Sequence, residues 1–221
     1  MTRLHRLHPL SALALTATLL LPAGTAMAQD DAVASGGPDA AAAEQDPRLT
    51  ELVALLPAEL AGVSLADNLT LATGEQLLAL MRPEEAAIIE GVLDVGGRTV
   101  ADYAAATTWL PVAATDVVVL QAHRIAGIDA SATVDAWVEV LTVNLADPQV
   151  SEGMVAGRPV TLVSDAGAPE VPTLHLFPVD DVTWMIVAAD QAIVEEAMAA
   201  VGSAGPTEGS PEASTDPSTE G

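Results

Sequence analysis

Four apolar residues in a row, Val117 to Leu120, leave this chain few folds to choose from. The run is mostly β-branched, and so suits a pleated strand buried on both faces. Gln121, His123 and Arg124 break the run, Gly127 turns the chain, and a new periodicity begins. Val134, Trp137, Val138, Leu141 and Leu145 share one helical face. The spacing predicts a helix over 130–145, capped by Asp129 and ended by Asp147-Pro148. A strand greasy on both sides cannot be kept dry by one layer of helices.

The rest of the chain supplies candidate covers. Asp46-Pro47 opens a helix with the stripe Leu49, Leu52, Val53 and Leu56. Thr73 to Gln76 fits a capping box, opening a helix through Met81. Pro83-Glu84-Glu85 opens another, stopped by Gly96-Gly97, and Thr99 to Ala106 reads as a further short helical turn. Val63 to Leu65 reads as a short strand or an extended link. Beyond 145 the pattern turns to β. Ala156-Gly157 is a hairpin turn, Thr173 to Phe177 alternates, and Val182 to Ala189 is apolar on both faces. Asp190 caps a last helix.

The expected fold is therefore α+β in layers: a mixed or antiparallel sheet of about four strands with helices on both faces and a mainly helical N-terminal third. The helices at 130–145 and 190–201 are expected on one face and the N-terminal helices on the other. Residues 47–201 form the single domain. Residues 1–28 read as a secretory signal peptide, with Arg3 and Arg6, the apolar run Leu10 to Leu21, and Ala26-Met27-Ala28 at the cleavage point. Residues 29–46 read as an acidic linker and 202–221 as a disordered acidic tail of Ser, Pro and Gly. The expected location is secreted or extracytoplasmic, in a periplasm or cell-wall space. No stable membrane insertion is expected after cleavage.

Charge and composition exclude several functions. Among 221 residues there are 31 acids, seven arginines, no lysine and no cysteine, for a net charge of −24. Such a surface repels phosphate, so no nucleic-acid partner is expected. No disulfide or thiolate chemistry is open to it. Gly96-Gly97-Arg98-Thr99 lacks the lysine and outer glycine of a phosphate loop, and no hydrolase or zinc-helix motif occurs, so neither cofactor nor metal is expected.

A few residues could still carry chemistry. His123 and His175 stand in expected strands and could meet Asp165, Asp180 or Asp181 as an acid–base or metal set. Asp180 and Asp181 share a hairpin turn, where adjacent acids ordinarily favour the turn and face water. Arg124 needs a carboxylate or an exit to water, and with Arg98 or Arg158 it could clamp an anion. For each of these the structural role outweighs the functional one: a hydrogen-bonded sheet histidine, a solvated turn, an ion pair. The leading expectation is a monomeric, non-enzymatic domain binding an unidentified extracytoplasmic protein or ligand. One alternative is a hydrolase or metal-dependent enzyme built on His123 and His175. Another is an acidic cation-binding or salt-adapted structural protein.

Overall fold

The computed structural model describes residues 46–112 and 117–203. The readings of 1–28, 29–46 and 202–221 lie outside these residues, apart from positions 46, 202 and 203.

In chain order the elements are helix α1 (Pro47–Ala54), a two-stranded ribbon β1 (Glu59–Leu60) and β2 (Val63–Ser64), β3 (Leu69–Thr73), α2 (Gly74–Leu80) and α3 (Pro83–Val95). Then come β4 (Tyr103–Pro111), β5 (Val117–Ile125), α4 (Ala130–Thr142), β6 (Pro148–Val155), β7 (Arg158–Asp165), β8 (Leu174–Val179), β9 (Val182–Val187) and α5 (Gln191–Ser203). Strands β3 to β9 form one seven-stranded sheet in the order β3-β4-β5-β9-β8-β7-β6, every neighbouring pair antiparallel.

This overturns the expectation of about four strands and a mainly helical N-terminal third. Strands β3 and β4 depart from the reading altogether, and β6 extends well before the short strand expected at the Ala156-Gly157 hairpin. In β4, Ala104, Ala105 and Ala106 favour a helix by propensity, yet they are buried between neighbours on both sides of the strand. Strand β3 is short and precedes a strong capping box. In β6 apolar Val150 and Met154 are interrupted by Gln149, Ser151, Glu152 and Gly153, so no continuous apolar run marks this exposed edge.

The local helix-start signals act as read, whereas the helix expected over 130–145 ends at Thr142, and Pro148 instead begins β6. The Asp46 side chain accepts from the Arg48 N–H, and the Arg48 hydrogen bond holds its carboxyl below the usual range. Thr73 and Gln76 close a complete capping box on α2. Gly74 is required there, since a Cβ would meet the Val100 carbonyl and lie 2.8 Å from the Tyr103 Cβ.

Strand alternation divides the core into two halves. On one face Val118, Leu120, Ala122, Trp184 and Ile186 pack with Leu49 and Leu52 of α1 and Val194, Met198 and Val201 of α5. On the other, Val119, Ile125, Met185 and Val187 pack with Leu77 of α2, Ile89 and Leu93 of α3, and Trp137, Val140 and Leu141 of α4. The expected pairing of the 130–145 and 190–201 helices on one face is thus also corrected. Strands β5 and β9 are antiparallel neighbours, so α4 and α5 leave from opposite ends of the sheet, and they fold back on opposite faces.

Candidate binding surface

The residues singled out from sequence are scattered. His123 is sealed in the core of the α4 face, its Nδ1 3.0 Å from the Tyr103 hydroxyl and its Nε2 3.3 Å from Gln121 Oε1. Its ring lies 4.3 Å, centroid to centroid, from that of Trp137. Burial pushes the imidazole down to about 3, so the ring is neutral. His175 pairs with Ile186 and points with Phe177 to the α1 face. The sheet therefore separates the two histidines, and no joint site can form.

His175 is also buried, and burial favours its neutral ring against the backbone groups of Ile186 and Thr173. Its Nδ1 has no hydrogen-bond partner among the described residues. It lines a cleft of about 430 Å³ with Glu170, Thr173 and Gln191.

The arginines do not assemble either. Arg124 donates to Asp181 at 2.6 Å and to Glu51 at 2.7 Å, tying β5 to the β8–β9 turn and to α1. Burial works against its charge, but these two carboxylates outweigh it and hold the guanidinium protonated. Asp180 takes a left-handed backbone, φ 54°, in that turn. Arg98 lays its guanidinium against Gly127 and borders a small cleft with Glu90 and Asp94, which neither Arg124 nor Arg158 lines. Arg158 opens β7 after the Ala156-Gly157 turn.

Asp165, expected beside the histidines, is a loop tether. Backbone N–H groups of Asp147, Ala146 and Gly167 donate to it and hold its carboxyl low against burial. Among the described residues no three His, Asp or Glu side chains could hold a metal ion together. None of the described helices is long and apolar enough to cross a membrane.

The open surface lies around α4. Helices α3 and α4 run antiparallel, pinned at one end by Asn144 donating to Glu85 at 2.7 Å and at the other by Ile128 seated on Gly96. Burial opposes ionisation of Glu85. The Arg82 N–H, Asn144 and the Arg82 guanidinium overcome it, so the buried carboxylate stays charged and clamps the helix pair.

Between these helices runs a groove of about 680 Å³ floored by small residues, among them Gly91, Ala132 and Ala136. Ile88, Val92 and Val95 flank it, and Asp135 and Glu139 stand on its α4 rim. On the other side of α4 a trough of about 510 Å³ opens onto strands β6, β7 and β8. Val134, Met154, Thr161 and Leu176 line it, with Asp135 and Glu152 at its edges. Asp135 borders both clefts.

These surface acids were not picked out from the sequence. The available signal was Asp135 and Glu139 four apart on the polar side of α4, and Glu152 between Val150 and Met154 in period two. Comparison with family models, curated proteins and solved structures found no match to this chain.

Proposed function

We propose that this domain is a non-catalytic binding module acting outside the cytoplasmic membrane, and that it grips its partner around α4. The carrying observation is the pair of apolar clefts flanking that helix, both bordered by Asp135. Apolar floors with a few placed charges are the usual make-up of recognition sites. Acidic rims on a chain of net charge −24 select a partner that brings cationic and apolar side chains together. A fluorescent arginine-bearing amphipathic peptide tests this by anisotropy. It should bind, and the Asp135→Arg/Glu139→Arg chain should bind it about tenfold more weakly, from two reversed rim charges. Absence of binding, or binding indifferent to that reversal, would overturn the proposal.

One observation favours the enzymatic alternative in a reduced form, resting on His175 alone. Its neutral ring, with an unpartnered Nδ1, adjoins a cleft that also holds Glu170. On that reading, the full chain hydrolyses a chromogenic ester and His175→Ala abolishes the hydrolysis. No hydrolysis by the unaltered chain removes this reading.

A further inference from the structure

Strand β6 is the end of the sheet, and no described strand pairs with its outer edge. It is eight residues long, whereas the opposite edge, β3, has five. An unpaired edge presents a row of backbone N–H and C=O groups that only another extended chain can satisfy in register. Native edges of this kind usually carry lysines, bulges or internal prolines. Strand β6 has no lysine or arginine, its one proline is its first residue, and it pairs with β7 without a break from Pro148 to Val155.

Two of its apolar side chains are also open. Val150 is 49% exposed and Met154 66% exposed. Register puts Val150, Glu152 and Met154 opposite Val163, Thr161 and Pro159, on the α4 face, where they continue the trough beside α4.

Resting on the binding-module reading, we propose that the partner enters as an extended cationic segment that pairs with the outer edge of β6. Alternate side chains of that segment lie along Val150, Glu152 and Met154, with its basic groups reaching Glu152 and Asp135. Main-chain pairing supplies the affinity and alternate side chains the selection, as in other strand additions. Charge decides the occupant. A second copy would bring another Glu152 and another net charge of −24 to the same edge. The chain's own segment from 204 onward carries Glu208, Glu212, Asp216 and Glu220 and no base. Both are repelled, whereas an arginine- or lysine-bearing strand is drawn in.

Three peptides added to the isotope-labelled full chain separate the possibilities. One alternates arginine and valine. The second is the same peptide N-methylated at every other residue. The third has the first one's charge on an amphipathic helix. The first should bind and slow exchange of the outward-facing β6 amides about tenfold, and methylation should weaken it about tenfold through lost backbone donors. Equal binding of the methylated peptide, or unchanged exchange in β6, overturns strand pairing. If only the helical peptide binds, at the α4 clefts, the strand inference fails while the binding module stands. If no peptide binds, both fall. Protection of β6 without peptide, together with a dimer by sedimentation, would make a second copy the occupant and overturn the inference.

Discussion

At the scale of single residues, the histidines matter to stability. Burial lowers the titration of His123 in the fold to about 3, against its ordinary 6.5 when unfolded. The unfolded chain therefore takes up this proton first. The stabilisation is complete above about pH 6.5 and is lost as pH falls toward 3, by at most about 1.4 kcal/mol per pH unit. Denaturant titrations at pH 7, 6 and 5 should show the decline, and His123→Gln should flatten it by nearly one proton while lowering stability at pH 7. An unchanged slope would contradict the buried neutral ring. Arg124 allows a second test. Its partners Asp181 and Glu51 are 41% and 63% exposed, so the clamp is worth about 1 kcal/mol in a double-mutant cycle with Asp181→Asn. The sequence displayed each of these residues but not their company. Which face a strand residue takes, and what lies across from it, depends on register with neighbours far along the chain. That register puts His123 with Tyr103 and Trp137, and His175 on the other side of the sheet.

Elements were legible where a local chemical signal exists. Capping side chains, Pro47 and Pro83 at first turns, and the Gly96 stop set helix ends through contacts a few residues apart, so their positions follow from sequence. Thr73→Ala should accordingly cost about 1 kcal/mol, read from the shift in denaturation midpoint. Strands β3 and β4 and the first part of β6 carry no such signal, since small, polar or short segments become strands through what pairs with them. The β6–β7 hairpin adds a gain-of-stability prediction. Ala156 holds φ 48° ahead of Gly157 at φ 76°, a left-handed pair that asparagine tolerates better than alanine. Ala156→Asn should raise stability by about 0.5 kcal/mol. A loss would mean that this turn is not left-handed at both positions.

The whole molecule is a broad antiparallel sheet kept dry by helices on both faces, and each cover is needed. Removing residues 46–57 takes Leu49 and Leu52 off the α1 face. The remaining chain should self-associate, which sedimentation would show; a monomer melting cooperatively at the unaltered temperature would refute the wrapping. The need for two-sided cover could be argued from Val117 to Leu120 alone. The assignment of helices to faces could not, because each turn's direction is set by the packing it meets. The same holds for the surface around α4, made by three segments that approach only in the folded chain. Chemical-shift mapping of the full chain against an arginine-bearing amphipathic peptide tests that surface most directly. Shifts gathered on residues 131–139 and 150–161 are the expected result. Shifts centred on 169–175 and 188–191, around His175, or none at all, would contradict it.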